Sequence, residues 1–113
     1  MTRYLGNLTN NDCVITSGQT VSAAVDLQGL AVVALIMPSA LTGTSITFQG
    51  SHDNSTFQAL YNSANTALSI TVAASRTYCI APVDFAGIRY LKIVSGSAEG
   101  ANRTIVVTTR DAA

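Results

Sequence analysis

The sequence has little charge and no excess of either sign. Of its 113 residues 11% are charged, and six basic and six acidic side chains leave a formal net charge of zero. Without excess positive charge the chain lacks the electrostatic footprint of a nucleic-acid-binding protein. An apolar content of 48% excludes an intrinsically disordered chain. A net charge near zero provides no repulsion between molecules, which suits a surface that sits against another protein.

Long hydrophobic runs are also missing. The most apolar stretch covers residues 30–38, LAVVALIMP, whereas a helix that spans a bilayer needs about 20 residues. Residues 1–12 are polar and lack the apolar segment of a signal peptide. We therefore expect a protein that is made in the cytoplasm and has no membrane partner. The length allows one domain with a single core.

Lysine and glutamate each occur once, as Lys92 and Glu99. Surface helices rely on these residues, so their scarcity argues against a helical bundle, while abundant Thr, Ser, Val and Ile favour strands. Apolar and polar residues alternate in 44–49, 89–95 and 104–108, which is typical of half-buried antiparallel sheet. With turn residues between these segments, the pattern predicts an all-β antiparallel sandwich, jelly-roll-like, of about eight or nine strands.

The predicted domain covers residues 12–110, with an N-terminal arm over 1–11 and a C-terminal tail over 111–113. Residues 30–37 do not alternate and are apolar on both faces, so this strand is either central in its sheet or covered by a partner. Residues 83–86 form a short strand or one helical turn. The predicted strands cover 12–17, 20–27, 30–37, 44–51, 56–61, 68–73, 76–81, 88–95 and 103–110.

The chain has two cysteines, Cys13 and Cys79, which are too few for a disulfide framework. Each lies in a strand-like context, and we expect free thiols that are buried as small apolar residues. A bridge between Cys13 and Cys79 would require their strands to be spatial neighbours, which the sequence leaves open.

No set of residues with catalytic or metal-binding spacing is present. His52, the only histidine, lies in the turn SHDNS without a nucleophile motif, and we interpret it as solvated. One histidine and two separated cysteines do not form a zinc site. Ser51, Asp53 and Ser55 alternate like the start of a calcium loop but lack further carboxylates, which favours an Asx-type turn. The remaining carboxylates lie at predicted strand ends or in loops, where solvation is expected. We therefore expect no enzyme activity, no metal and no cofactor.

Two stretches resemble a pattern found in small virion proteins of tailed phages. Residues 44–61 contain an apolar-x-Phe-Gln-x-Ser step, an Asp-Asn turn and a strand that opens with Thr and an aromatic residue. Residues 78–93 contain an apolar-x-Pro-x-x-Phe-x-Gly turn that leads into an Arg-Tyr-apolar-Lys-apolar strand. In layout the resemblance covers residues 20–110. It implies a head decoration or cement protein, or another accessory virion protein, with a small sandwich fold.

The resemblance also implies location and partners. Such a protein sits on the capsid surface, binds the major capsid protein and forms a homo-oligomer, most commonly a trimer, without contacting nucleic acid. Because polar arms can order on a neighbouring molecule, we expect the two ends of the chain to make contacts. The predicted contact residues are Arg3, Tyr4 and Leu5 at the N-terminus and Thr109 and Arg110 at the C-terminus.

The alternative function is a carbohydrate-binding sandwich module, which could itself be displayed on a virion. It requires polar loop residues that converge at one end of the sandwich, and the candidates are His52, Asp53, Asn54 and Asn102. An exposed aromatic residue beside them would favour sugar binding, whereas an apolar patch built from residues 30–37 and the arms would favour assembly. The absence of tryptophan argues against sugar stacking, and we interpret Phe48, Phe57 and Phe85 as core residues.

Overall fold

The computed structural model describes residues 8–81, 84–85 and 87–110. Within these residues the fold is all-β, with nine strands in two antiparallel sheets that enclose one hydrophobic core. The strands are β1 (Thr9–Ile15), β2 (Val25–Asp26), β3 (Ala31–Ile36), β4 (Ser45–Ser51), β5 (Gln58–Ala59), β6 (Ser69–Thr71), β7 (Thr77–Cys79), β8 (Tyr90–Ser95) and β9 (Arg103–Arg110).

The strand order confirms the predicted jelly-roll sandwich. Sheet A has the order β1-β9-β3-β7, and sheet B has the order β2-β8-β4-β5. Strands β5 and β6 both pair with one edge of β4, because β8 pairs with the other edge. Residues 61–67 form a small hairpin between β5 and β6, with a bridge from Tyr61 to Ala67. If β5 and β6 are counted as one interrupted strand, the fold has eight strands. The first strand pairs with the last, and the resulting ribbon folds over into two sheets, as in a jelly roll.

The alternating pattern of the sequence appears directly in the core. The inward residues of three central strands are at most 2% exposed, namely Ile46 and Phe48 of β4, Leu91 and Ile93 of β8, and Ile105 and Val107 of β9. Burying each such side chain stabilises the fold by about 1.5–3 kcal/mol relative to leaving it in water. These strands therefore hold the two sheets together.

Strand β3 lies between β9 and β7, so the first of the two alternatives for residues 30–37 is correct: the strand is central in its sheet. A bulge shifts the register with β9 between Val32 and Ala34. Ala31 and Val32 are both buried next to this bulge, which explains why the segment shows no alternation. Ile36, beyond the bulge, stays 37% exposed on the outer face of sheet A.

Three residues of the predicted N-terminal arm belong to the sandwich. Strand β1 begins at Thr9, and residues 9–11 pair with residues 107–109 of β9, so these three residues belong to sheet A. Residues 1–7 of the predicted arm and the tail 111–113 lie outside the described residues. Of the segment 83–86, only Asp84 and Phe85 are described.

The predicted strand over residues 20–27 contains only β2 and one isolated bridge, between Val21 and Val94. The Ser22 N–H donates to the Ile93 carbonyl of sheet B, and the Ala23 N–H donates to the Val14 carbonyl of sheet A. Because consecutive residues bond to different sheets, this segment closes one side of the sandwich and cannot continue as a regular strand.

The sandwich has two ends, which carry different loops. We call the "terminal end" the one where β1 begins and β9 stops, together with turns 27–30 and 52–55. Turn 27–30 has positive φ at Gln28 and Gly29 and a hydrogen bond from the Leu30 N–H to the Leu27 carbonyl, as in a type I′ turn. We call the "loop end" the opposite one, formed by residues 16–20, 37–44 and 96–102.

The cysteines do not form a bridge. Cys13 in β1 and Cys79 in β7 lie in the two outermost strands of sheet A and are free thiols. Three strand spacings separate these strands by about 14 Å, whereas a disulfide needs Cα atoms within about 7 Å. Cys13 is buried, but the prediction of burial is wrong for Cys79, which is exposed because β7 is an edge strand.

Candidate functional site

A buried carboxylate organises the loop end. Glu99 is 1% exposed, although it lies in the loop between β8 and β9. Its Oε1 accepts hydrogen bonds from the Thr42 N–H at 2.8 Å and from Arg103 Nε at 3.0 Å. Its Oε2 accepts from the Gly43 N–H at 2.9 Å and from the Ser95 hydroxyl at 2.7 Å. Four donors thus replace the water that the carboxylate lost on burial.

The backbone of Glu99 joins a third segment to this network. Its carbonyl accepts from the Gly18 N–H at 2.7 Å, and its N–H donates to the Gln19 carbonyl at 3.1 Å. Burial by itself would raise the pKa of Glu99, but the donors from Thr42, Ser95, Gly43 and Arg103 outweigh it and lower the pKa to about 2. The residue therefore stays ionised at neutral pH and fixes three loops to one another.

Gly43 makes this approach possible. A Cβ atom at position 43 would collide with the Ser95 hydroxyl and lie 3.2 Å from Glu99 Oε2. Any larger residue would displace the carboxylate from the two backbone N–H groups that it accepts from. The hydrogen-bond network around Glu99 therefore requires glycine at position 43.

An exposed ion pair lies at the terminal end. Arg89 donates from Nε to Asp26 Oδ1 at 2.7 Å and from Nη2 to Asp26 Oδ2 at 3.2 Å. The hydrogen bond from Arg89 lowers the pKa of Asp26, and the Gln28 N–H adds to the effect. The Arg89 guanidinium also lies 5.1 Å from the centre of the Tyr90 ring. Because water screens an exposed pair of this kind, it contributes little to stability.

The turn that contains His52 is held by Asp53, as the Asx-type interpretation predicted. Asp53 Oδ1 accepts from the Ser51 hydroxyl and from the N–H groups of Ser55 and Thr56, all at 2.8–2.9 Å. The N–H groups of Thr56 and Ser55, then the Ser51 hydroxyl, lower the pKa of Asp53 to about 2. Asn54 follows with φ of 59°, and His52 itself is exposed. Asp53 thus uses its carboxylate to shape the turn.

The four residues predicted for sugar binding do not converge. His52, Asp53 and Asn54 follow β4 at the terminal end, whereas Asn102 precedes β9 at the loop end. The length of β4, about 20 Å, separates the two groups. Asn102 instead accepts a hydrogen bond from the Ser17 N–H at 2.8 Å and so fastens neighbouring loops. The predicted four-residue site is wrong because its members lie at opposite ends of the sandwich.

Phe57 is the first aromatic residue after the His52 turn in the sequence, and its ring lies against another side chain. Lys92 Nζ lies 4.2 Å from the centre of this ring, and Phe57 is half-buried. The prediction that Phe57 belongs to the core is therefore wrong, but Lys92 occupies the face on which a sugar would stack. Phe48 and Phe85 are buried, as predicted, and contact each other edge to face.

The central rows of the outer face of sheet A are poor in charge. Asp12 of β1 pairs with Val106 of β9, which also pairs with Ile36 of β3, so these three residues form one row across the sheet. The next row toward the terminal end contains Asn10, Thr108 and Ala34, and Val14 lies one row toward the loop end. Asp12 is thus the only charged side chain in these rows. The strand that the sequence singled out as a candidate apolar patch lies within this face.

The predicted contact residues fall in different environments. Arg3, Tyr4 and Leu5 lie outside the described residues. Arg110 is half-buried at the end of β9 and pairs with Ala31. Thr109 is fully buried and accepts a hydrogen bond from the Asn11 side chain. Thr109 therefore offers no surface to a partner, and its assignment as a contact residue is corrected.

The described residues contain neither a cluster of metal-binding side chains nor a helix that could span a membrane. Among them, no group of three or more His, Cys, Asp or Glu side chains could hold a metal ion. In the same part of the chain, no helix has the length and apolar character needed to cross a bilayer.

The sequence reasoning missed Glu99, which it treated as a solvated loop residue. Two signals were available: Glu99 is the only glutamate, and Arg103 follows it at a spacing of four. Neither signal identifies the donors from residues 42 and 43, because these are more than 50 positions away and meet Glu99 only in the folded sandwich.

Comparison with solved structures gives a full-length match. The crystal structure of the SPBc2 prophage-derived protein YomS aligns with a TM-score of 0.65 and 14% sequence identity. The alignment covers 98% of this chain and 99% of that chain. No family model matches the chain, and no curated protein matches it. The chain therefore shares its all-β sandwich fold with a phage-derived protein.

Proposed function

We propose that the chain is an accessory virion protein of a phage that binds the outer capsid lattice as a decoration or cement protein. The observation that carries the proposal is the match in fold to a prophage-derived protein over nearly the whole of both chains. The resemblance of residues 44–61 and 78–93 to small virion proteins supports the same assignment. On this proposal the partner is the major capsid protein, and the chain lies on the capsid surface as a homo-oligomer, with a trimer as the first expectation.

The outer face of sheet A supplies a surface suited to such a contact. Val14, Ile36 and Val106 place β-branched side chains on a regular sheet, where few rotamers are lost on binding. Asp12 is the only charged residue in these rows, so docking removes little charge from water. A partner surface that is itself uncharged fits this face, and burial of apolar area would provide the affinity.

The described chain begins and ends at the same end of sheet A, which carries this face. Thr9 and Thr109 are paired neighbours, so the residues before β1 and after β9 begin at the terminal end. Leu8, the first described residue, is 69% exposed. Because the N-terminal and C-terminal segments both begin at the terminal end, they can contact the same neighbouring molecule. This supports the prediction that both segments contribute to binding.

Density-gradient sedimentation of a native lysate tests the proposal. We expect the chain to migrate with virus-sized particles, at many copies per particle. If it is found only in the light, soluble fractions while intact particles are present in the same gradient, the proposal is wrong. Glycan binding would then be the next function to examine.

Two variants test the surface. Ile36→Lys introduces charge on the outer face of sheet A, and Val21→Lys introduces the same charge at the bridge to β8 of sheet B. The two positions are matched, because their side chains are 37% and 36% exposed. We expect Ile36→Lys to lose co-migration and Val21→Lys to keep it. Equal co-migration of both variants would show that the outer face of sheet A is not the contact.

A pair of truncations tests the N-terminal contacts. Removal of residues 1–7 leaves every described pair between β1 and β9 intact, whereas removal of 1–11 deletes the pairs made by Thr9, Asn10 and Asn11. We expect the shorter truncation to stay folded and bind particles more weakly. The longer truncation should also lower the free energy of unfolding. Unchanged particle binding by the chain without residues 1–7 would exclude that segment as a contact.

A further inference from the structure

The outer face of sheet B carries small and polar side chains that lie in register across its strands. Ile46 and Phe48 of β4 are buried, so the residues that alternate with them, Thr47 and Gln49, lie on the outer face. Gln49 pairs with Ala59 of β5, and Thr47 pairs with Ser69 of β6. We call these four outward residues the platform: Thr47, Gln49, Ala59 and Ser69.

Two aromatic residues border the platform along β5. Phe57 and Tyr61 are each two positions from Ala59, and Leu60 packs against the core, so both aromatic residues lie on the outer face with Ala59. The contact between Phe57 and Lys92 agrees with this, because Lys92 pairs with Gln49 on the same face. Lys92 lies over the Phe57 ring, whereas Tyr61 is 57% exposed. Tyr61 therefore offers an aromatic surface to a ligand.

The hairpin over residues 61–67 holds Tyr61 in a fixed position. The Asn62 N–H donates to the Thr66 carbonyl at 2.9 Å, and the Leu68 N–H donates to the Leu60 carbonyl at 3.0 Å. Asn62 Oδ1 accepts from the N–H groups of Ala64 and Thr66 at 2.9 and 3.0 Å. Because the backbone on both sides of Tyr61 is already ordered, little conformational entropy is lost when its ring contacts a ligand.

The charge beside the platform is positive. The sequence has no charged residue from position 54 to position 75, and Lys92 lies in the same row as Gln49 and Ala59. Neither of the two ion pairs found among the described residues involves Lys92. A ligand on the platform therefore meets hydroxyl and amide groups, with one ammonium group at the side of β8, and this arrangement favours a ligand that carries negative charge.

The spacing of these groups requires an extended ligand. Two strand spacings separate Lys92 from Ala59 by about 10 Å, and Tyr61 lies about 7 Å further along the chain. A ligand that reaches from Tyr61 to Lys92 needs an apolar face for the ring, hydroxyl groups for the platform and an anionic group at its other end. A short acidic oligosaccharide has all three features.

We propose that the outer face of sheet B binds an acidic oligosaccharide. One sugar ring stacks on Tyr61, sugar hydroxyls bond to Gln49 and to the hydroxyls of the platform, and a carboxylate lies beside Lys92. The site does not depend on the proposed contact with a capsid, because the outer faces of the two sheets point in opposite directions. A chain that docks through sheet A would present this site away from the capsid.

Nuclear magnetic resonance titration of the full chain with a galacturonate trisaccharide tests the proposal, and the methyl ester of the same trisaccharide is the uncharged control. We expect saturable shifts of the amide signals of Gln49, Ala59 and Tyr61, with those of Ile36 and Val106 on sheet A unchanged. The acid should bind about two- to five-fold more tightly than the ester, as expected for an exposed charge pair. High salt should remove this preference.

Two pairs of variants separate the ring contact from the charge contact. Tyr61→Ala should abolish the saturable shifts, whereas Tyr61→Phe keeps the ring and should retain them. Lys92→Gln should bind the acid and the ester equally, whereas Arg76→Gln removes an exposed positive charge outside the platform and should keep the preference for the acid.

The amide spectrum of each variant without sugar shows whether it is folded. The proposal is overturned if the wild-type chain shows no saturable shifts at the platform with either trisaccharide. It is also overturned if folded Tyr61→Ala binds as tightly as the wild type, or if folded Lys92→Gln keeps the full preference for the acid.

Discussion

Glu99 Oε1 and Arg103 Nε lie 3.0 Å apart inside the protein and join the loop between β8 and β9 to the first residue of β9. A second ion pair, Arg89–Asp26, is shorter at 2.7 Å, but both of its side chains are substantially exposed. The two pairs differ in solvation rather than in distance. Water screens the exposed pair, whereas the buried carboxylate depends entirely on its protein donors.

Replacement of Glu99 should therefore cost much more than replacement of Asp26. We expect Glu99→Gln to lower the free energy of unfolding by about 3 kcal/mol, because Arg103 loses its counter-charge and the strong hydrogen bonds are weakened. Asp26→Asn removes the same type of charge from an exposed pair that water screens, and it should cost much less than Glu99→Gln. Denaturant unfolding of both variants measures the difference, and equal losses would contradict a special role for the buried pair.

The same carboxylate should make stability depend on acid pH. The pKa of Glu99 falls from its ordinary value of 4.5 to about 2 in the folded protein, so the unfolded chain binds the proton more readily. The contribution, on the order of 3 kcal/mol, is complete above the unfolded pKa and is lost as pH falls through the folded one.

Unfolding of wild type and Glu99→Gln at a series of pH values measures this effect. The difference between the two proteins should be constant above about pH 5 and shrink between about pH 4.5 and pH 2. Asp26 and Asp53 also have lowered pKa values, but they titrate in both proteins and cancel in the difference. A difference that does not change with pH would show that Glu99 titrates normally.

Gly43 should tolerate no side chain. We expect Gly43→Ala to lower the free energy of unfolding by about 1–3 kcal/mol, because the added methyl group collides with the Ser95 hydroxyl. Gly100→Ala is the matched control in a neighbouring loop, since its Cβ would meet only Thr42 Oγ1 at an ordinary 3.7 Å. Thermal unfolding should show a clear loss for the first variant and little change for the second. Similar results for both would contradict the tight packing around Glu99.

The two thiols should differ in reactivity. Cys79 is exposed, whereas Cys13 is buried and its Sγ donates to the Ser22 hydroxyl at 3.0 Å. Burial raises the pKa of the Cys13 thiol above its usual value, because its effect is larger than the lowering by the hydrogen bond between Cys13 and Ser22. A thiol reagent should label Cys79 in the native protein and reach Cys13 only after denaturation, as mass spectrometry of labelled peptides would show. Rapid native labelling of Cys13 would contradict its burial.

Local sequence patterns determined the fold class and the positions of the alternating strands. The alternation in β4, β8 and β9 specifies both a strand and the side of it that is buried, because side chains in a strand point to opposite faces with a period of two. The Asp53 turn was likewise predictable, since its donors lie within three residues along the chain. These features depend on neighbours in sequence and therefore can be predicted without the fold.

Only the tertiary structure decided which distant residues meet. It buried Glu99 by bringing residues 42 and 43 to it, separated Asn102 from His52 by the length of β4, and left Cys79 exposed on an edge strand. It also buried Thr109 and made β3 central. Each of these outcomes follows from pairing between strands that are far apart in the chain, and a period-two pattern does not encode which strands become neighbours.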